Sequence, residues 1–162
     1  MPEIKTPPVT LTAIGSGRKV SLNQIGVPAL LIFHGRNTAE ASQKVNGPVR
    51  DKYPLASSLL VASIMDLHIA PRLLRGVVEA FIRDAYEEAC KKLPNGWTPR
   101  EYLLLLPDWD GSLTKNFGFK DTDRTAGVVV LDRQGKVVGA YQGKDLTAQA
   151  MAMLKKVEVE IK

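Results

Sequence analysis

Three short, almost wholly apolar runs constrain this fold more than any other feature of the sequence. They cover residues 29–33, 58–65 and 102–106. Runs of this length without strict alternation are typical of strands that are buried on both faces. Helix-length segments lie between them, and parallel strands need such crossovers. The sequence therefore predicts parallel strands in a sheet that is covered on both faces.

Periodicity in the rest of the chain predicts the remaining large elements. Apolar residues recur at spacings of three and four over residues 71–93 and again over residues 146–157, which is typical of amphipathic helices. Between them, residues 127–143 alternate on either side of a turn that ends at Gly135, which predicts a β-hairpin. Strands, crossover helices and a terminal hairpin together predict an α/β fold with a mixed central sheet.

The domain organisation is predicted to be simple. Residues 1–17 are rich in proline and contain Gly15 and Gly17, so they are expected to form an extended lead-in. Residues 18–162 are expected to form one domain, because the 162-residue chain is 44% hydrophobic and so has enough apolar side chains for a single core.

Composition excludes several classes of function. The net charge is +5, but the 22 Lys and Arg residues are scattered among 17 acidic ones and form no basic stripe, so nucleic-acid binding is not expected. A single cysteine excludes an internal disulfide, a CxxC pair and a Cys-rich zinc site. No apolar run is long enough to span a bilayer. We expect a soluble cytoplasmic protein, or a periplasmic or exported one if a leader has been removed from the sequence.

The helix after the first apolar run has a recognisable start. Asn37 is the expected N-cap of a helix that begins near Thr38, and Glu40 stands three residues further on, in the reciprocal capping position. Gly47 and Pro48 are expected to kink or end this helix.

Three segments carry a family resemblance. Residues 28–35, PALLIFHG, are similar to a strand that leads to an active site, and residues 105–119, LLPDWDGSLTKNFGF, are similar to an Asp, Gly and helix-ending Gly segment. Residues 125–143, TAGVVVLDRQGKVVGAYQG, are similar to a terminal hairpin. Together they resemble the thioredoxin-like superfamily, especially its redoxin and peroxiredoxin (AhpC/TSA-like) branch. The resemblance implies a three-layer α/β/α sandwich with a mixed central sheet, in which the long helix at about 71–93 is an insertion.

Two active-site elements of that superfamily are missing. The family's active cysteine lies in the first turn after the leading strand, where helix N–H groups stabilise a thiolate, but the matching residues 38–41 read T-A-E-A. The family's cis-proline precedes the hairpin strand, where this chain has Thr125 and Ala126. A cis bond before a non-proline residue costs about 3 kcal/mol, so the peptide is expected to be trans.

A retained scaffold without its chemistry implies a non-catalytic protein of the redoxin lineage that acts as a binding or interaction module. We predict no catalytic residue, no metal site and no cofactor. The expected partner is a protein or a small anionic ligand, held at the old active-site corner, although helix capping alone explains several of the same residues. The corner comprises His34, Arg36, Asn37, Thr38, Glu40, Thr125 and Ala126.

Cys90 supports an alternative function, that of a thiol-dependent oxidoreductase or one-cysteine peroxidase. It is the only thiol available for such chemistry. Its helical phase, however, predicts that it faces away from the apolar stripe of helix 71–93, near the helix C-terminus, where the dipole disfavours a thiolate. An exposed, incidental thiol is the competing interpretation.

Helix 71–93 supports a second alternative, a structural homodimer. Its apolar stripe is expected either to cover the sheet or to pack against a second subunit. The stripe comprises Leu73, Leu74, Val77, Val78, Phe81, Ile82, Ala85 and Ala89.

The two histidines allow a third alternative. His34 and His68 follow neighbouring predicted strands, so they could approach each other near Asp66 and hold a divalent metal. The spacing of these residues matches no local metal-binding motif.

Overall fold

The computed structural model describes residues 4–161, which form seven strands and five helices joined by short 3₁₀ turns. The strands are β1 (Thr10–Thr12), β2 (Lys19–Ser21), β3 (Ala29–His34), β4 (Leu60–Asp66), β5 (Leu105–Asp108), β6 (Gly127–Leu131) and β7 (Val137–Gln142). The helices are α1 (Ala39–Lys52), α2 (Arg75–Lys91), α3 (Pro99–Tyr102), α4 (Ser112–Asn116) and α5 (Leu146–Lys155).

The central sheet has the strand order β5-β4-β3-β6-β7. Strands β3, β4 and β5 are parallel, whereas β6 runs antiparallel to β3 and β7 runs antiparallel to β6. All six residues of β3 are buried, as expected for a strand covered on both faces. The mixed sheet predicted from the apolar runs and the hairpin is therefore confirmed.

Each face of the sheet carries its own core. On one face, α1 and α5 bury alternate β3 residues such as Leu30 and Ile32 together with Val45 and Ala150. On the other face, Phe33 packs against the rings of Phe117 and Phe119, with ring centroids 5.4 and 5.0 Å apart. This second face is shared by α4 and the small antiparallel pair of β1 and β2, whereas α2 packs through Ile82 against Met65, whose side chain points to the opposite face from that of Ile64. The α/β/α layering is thus confirmed.

The lead-in contains more structure than an extended segment. Strand β1 lies within residues 1–17 and pairs with β2, so that Leu11 stands opposite Val20. The chain then reaches the edge of the main sheet, where the Ile14 N–H donates to the Leu105 carbonyl at 2.9 Å. Ile14 is buried against Met65 and Ile82.

Helix α1 continues through Pro48, so of the two expectations for Gly47 and Pro48, a kink or an end, the end was wrong. A proline inside a helix leaves the carbonyl four residues earlier without its N–H donor, here that of Lys44. The hydroxyl of Thr147 in α5 donates to this Lys44 carbonyl at 3.4 Å. Tertiary packing thus supplies a donor that a local sequence rule could not include.

Strand β5 contains Pro107, although the third apolar run ends at residue 106. Only one side of an edge strand needs ladder donors, and β5 is the outermost strand beside β4. Pro107 stands opposite Met65 in the parallel register. The preceding residues up to Tyr102 belong to α3 rather than to the strand.

Helix α2 uses a narrow inner face. Ile82 and Tyr86 are buried and Val78 is half-buried. Much of the predicted apolar stripe does not cover the sheet but is exposed, including Leu73, which keeps 96% of its accessible surface, and Phe81, which keeps 75%. The physical reason is that the chain around Ile14 already covers this part of the sheet, so α2 contacts it along one line of side chains.

Candidate functional site

The candidate site lies at the carboxyl end of β3, where the chain order of the sheet reverses. The next strands along the chain, β4 and β5, lie on one side of β3, whereas β6 lies on the other side. In open α/β sheets such a switch point leaves a crevice outside the strand ends. Here the crevice contains the turn at residues 35–38 and the loop at residues 121–126 that precedes β6.

His34 ends β3 and faces the backbone. Only 7% of its surface is exposed, and its Nδ1 donates to the Gly35 carbonyl at 2.9 Å. Burial lowers the pKa of His34 below its ordinary value of 6.5, and the hydrogen bond to Gly35 opposes this only in part. His34 is thus a packed strand-end residue in its neutral form, rather than a charge offered to a ligand.

Thr38 joins the turn to the loop. Its Oγ1 accepts the Gly35 N–H at 2.9 Å and donates to the Thr122 carbonyl at 2.5 Å. The expectation that Asn37 caps α1 was wrong, because Thr38 occupies the N-cap position and no side chain bonds there. The structure records no reciprocal bond from Glu40 for the residues described, and Glu40 is exposed.

Asp123 is the residue that closes the corner. Its two carboxylate oxygens accept the Asn37 backbone N–H and the Asn37 side-chain Nδ2, both at 2.8 Å. The loop packs so closely that a Cβ on Gly35 would lie 2.7 Å from the Asp123 Cα. A carboxylate from the chain itself therefore occupies the place where an external anion would meet the turn.

Sequence reasoning missed Asp123, and the reason is separation along the chain. Asp123 and Asn37 are 86 residues apart. No local capping rule links residues so distant, and Asp123 belongs to no motif. The remaining signal would have been the resemblance itself, which aligns the loop before the hairpin with the family's second active-site element.

The loop at Thr125 and Ala126 is also held from within. The Gln142 side chain donates to the carbonyls of Lys120 and Thr125, both at 2.7 Å, and its Oε1 accepts the Lys120 N–H. Ala126 is buried, and no cis peptide bond occurs in the described residues. The backbone carbonyls of Lys120 and Thr125 and the Lys120 N–H are thus used in internal hydrogen bonds.

The predicted site residues thus gather at one corner but differ in accessibility. His34 and Ala126 are buried, and Thr38 and Thr125 are half-buried. The side chains that reach solvent are Arg36, Asn37 and Glu40, and on the loop Asp121 and Arg124.

The two histidines do not meet. His68 pairs with Asp66 instead, with 2.7 Å between its Nδ1 and the carboxylate, and the other oxygen of Asp66 accepts the Thr122 hydroxyl at 3.2 Å. The pair borders a shallow cleft of about 450 Å³ that also involves Lys115 and Lys120. Within residues 4–161, no group of three His, Cys, Asp or Glu side chains is placed to hold a metal ion.

Cys90 lies at the other end of the parallel strands from the corner that follows β3. Helix α2 runs from the carboxyl end of β4 back toward the amino end of β5, about 26 Å for its 17 residues at 1.5 Å per residue, and Cys90 is in its last turn. Its neighbour Tyr86 packs beside Gly15, close to the first residue of β5. Burial and a hydrogen bond with Cys90 raise the pKa of Tyr86. Cys90 is therefore half-buried on the inner side of α2, not on the outward side that helical phase predicted.

This topology defines a class of protein, the thioredoxin-like fold. A secreted disulfide oxidoreductase of Mycobacterium tuberculosis matches with a TM-score of 0.54 at 14% identity, covering 94% of this chain and 96% of that one. The exposed lipoprotein thioredoxin Etrx1 of Streptococcus pneumoniae matches with a TM-score of 0.61 at 18% identity, covering 91% and 98%. An uncharacterised conserved protein of Geobacillus kaustophilus matches with a TM-score of 0.64 at 12% identity, covering 98% and 81%.

These similarities establish the fold, which is the one expected from the resemblance of the three segments. No family model and no curated protein matches the sequence. None of the helices in residues 4–161 has the length and apolar character needed to cross a bilayer.

Proposed function

We propose that this chain is a non-catalytic, thioredoxin-like protein of the redoxin lineage that works as an interaction module. The observation that carries the proposal is the closure of the old active-site corner by Asp123, which holds the backbone N–H and the side chain of Asn37. In the family this position activates a cysteine. In this chain it carries no sulfur and contains a carboxylate, whose charge opposes a thiolate.

The position of Cys90 argues against the alternative of a thiol enzyme. A redox cysteine needs a partner that stabilises its thiolate, such as a helix N-terminus or a nearby cation. Cys90 instead sits at the C-terminal end of α2 beside the Tyr86 hydroxyl. The corner lies at the carboxyl ends of the parallel strands and the thiol lies near their amino ends. The two are therefore too far apart to act in one reaction.

A polypeptide fits the corner better than a small anion does. The turn's Asn37 N–H is already bound to the Asp123 carboxylate, which would repel a second negative charge. The exposed side chains carry both signs of charge, with Arg36 and Arg124 beside Glu40. Such a mixed polar surface is typical of the rim of a protein–protein contact.

The proposal of a non-catalytic protein is tested by turnover. We expect disulfide-reductase and peroxidase rates of the wild type to equal the uncatalysed rates, and Cys90→Ser to leave them unchanged. Turnover that Cys90→Ser abolishes would overturn the proposal.

The contact surface is tested separately. A photo-crosslinking amino acid at Ala39, an exposed residue in the first turn of α1, is expected to capture a protein in cells. The matched control places the same group at Leu55, which is 54% exposed outside the corner. Equal adducts at both positions would remove the corner as the contact surface.

Location belongs to the same proposal. We infer a cytoplasmic protein, or a periplasmic or exported one if a leader was removed, and two proteins of the same fold are described as secreted and as an exposed lipoprotein. Fractionation of the producing cells separates the two possibilities.

A further inference from the structure

An exposed apolar surface, formed by the first half of α2 and the residues just before it, has no partner within the described chain. We call it the α2 outer face. Its members keep between 48% and 96% of their accessible surface, although they are large aliphatic or aromatic side chains. They are Ile69 at 73%, Leu73 at 96%, Leu74 at 48%, Val77 at 67% and Phe81 at 75%.

The outer face spans the first half of α2 and the 3₁₀ turn before it. Val77 and Phe81 are four residues apart and so lie on one side of α2, and Leu73 lies four residues before Val77 in the turn Arg72–Leu74. The core face of α2 is complete without them, because Ile82 and Tyr86 are buried on the other side. A contiguous exposed apolar surface of this kind marks a binding site.

The second half of the same side of α2 carries more acidic than basic side chains. At 100° per residue, Asp84 and Glu88 continue the line of Val77, and Glu87 lies beside them; all three are exposed. Lys91 lies on the same side and pairs with Glu88 at 2.9 Å, which leaves Asp84 and Glu87 to set the charge of this half. This acidic half opposes adsorption to an anionic membrane, because the carboxylates would face lipid of the same charge.

We propose that the α2 outer face binds the same face of a second copy of this chain, with the two helices antiparallel and the two-fold axis close to Val77. This surface is separate from the corner at the end of β3, so the inference goes beyond the proposed function. In this arrangement Leu73 of each chain contacts Phe81 of the other. Interfaces of this isologous type are the commonest in soluble oligomers.

Charge selects the antiparallel orientation. A parallel pair would stack Asp84 and Glu88 on their own copies, which is repulsive. The antiparallel pair moves each acidic half past the apolar contact and toward the start of the other helix. That end carries the positive end of the helix dipole and the exposed side chain of Arg72.

The area of the outer face is close to what a dimer needs. At roughly 150–200 Å² for each large apolar side chain, the exposed fractions of the five members correspond to about 600 Å² of apolar surface per chain. A standard interface buries about 800 Å² per partner, and the side chains that flank the stripe would supply the rest.

Cysteine crosslinking tests the geometry, because the chain has a single cysteine to remove. In a Cys90→Ser background, Val77→Cys is expected to form a disulfide-linked dimer on mild oxidation, since two-fold symmetry brings residue 77 against itself. Leu73→Cys alone is expected to remain unlinked, but to link with Phe81→Cys when the two variants are mixed. The matched control is Val159→Cys, because Val159 is 82% exposed outside α2.

Each crosslinking outcome decides the arrangement. Equal self-linking of Leu73→Cys and Val77→Cys would indicate parallel helices and overturn the antiparallel pair. Val77→Cys linking no faster than Val159→Cys would overturn the α2 contact altogether.

Light scattering tests the dimer itself. The wild type is expected at twice the chain mass, and Phe81→Glu at the mass of one chain, with the dissociation constant raised by ~100-fold or more. Val159→Glu should stay dimeric, and circular dichroism checks that both variants fold. A monomeric wild type at high concentration, or binding to anionic vesicles that Phe81→Glu abolishes, would overturn the second copy as the partner. Neither result changes the turnover measurements, so the proposed function is judged independently.

Discussion

Removing the Asp123 carboxylate is expected to lower the free energy of unfolding by an amount that follows from the hydrogen bonds it makes. Asp123→Ala deletes two hydrogen bonds of 2.8 Å, one to the Asn37 N–H and one to the Asn37 side chain. A carboxylate that accepts a backbone N–H at the start of a helical turn contributes about 1 kcal/mol. The exposed side-chain bond adds a few tenths, so we expect a loss of about 1–2 kcal/mol in the free energy of unfolding.

Two measurements report this loss at different scales. Urea unfolding followed by tryptophan fluorescence gives the global change. Amide hydrogen exchange at Asn37 gives the local one, and 1–2 kcal/mol corresponds to exchange that is roughly 5–30-fold faster if local opening dominates. Asp51→Ala is the matched control, because Asp51 is an exposed carboxylate near the end of α1 and its loss should change stability by no more than about 0.5 kcal/mol.

The same variant tests the idea that Asp123 acts as an internal anion. With the carboxylate gone, inorganic phosphate is expected to shift the Asn37 amide resonance in Asp123→Ala but not in the wild type. An unchanged Asn37 exchange rate in Asp123→Ala, together with a stability loss no larger than that of Asp51→Ala, would refute the reasoning.

Three further predictions follow from packing. Because burial lowers the pKa of His34, the unfolded chain binds the proton more tightly, so wild-type stability should fall as pH drops below about 6.5, whereas His34→Gln should lack this slope in urea titrations. Thr147→Val removes the donor to the Lys44 carbonyl and should cost about 0.5–1 kcal/mol in urea unfolding, while Thr147→Ser should not. Gly35→Ala forces a Cβ against the backbone of the neighbouring loop and should cost about 1–3 kcal/mol in thermal unfolding, whereas Gly47→Ala, in open space within α1, should stabilise by about 0.5–1 kcal/mol.

The parts of the fold that could be predicted from sequence are those fixed by local pattern. The buried strand β3 was visible as a run of apolar residues, and the hairpin of β6 and β7 was visible from alternation around Gly135, which has φ +82°. These signals need only neighbouring residues. The resemblance then supplied the layering that connects them.

The parts that were missed depend on tertiary contacts. Pro48 looked like a helix end because its rescuing donor, Thr147, lies in another helix. The outward direction predicted for Cys90 on α2 was wrong because apolar periodicity alone cannot distinguish a stripe that meets the core from one that is left exposed. At the candidate site, the cluster of predicted residues was found, but Asp123 was not, because it meets Asn37 only after the chain folds.

The closure by Asp123 also restricts how such a protein could change during evolution. A single replacement that placed a cysteine at Thr38 would put the new sulfur beside an existing negative charge and a crowded glycine. A thiolate at that position would also require the loss of the aspartate and a rebuilt adjoining loop. A thiol site at this corner is therefore several replacements away rather than one.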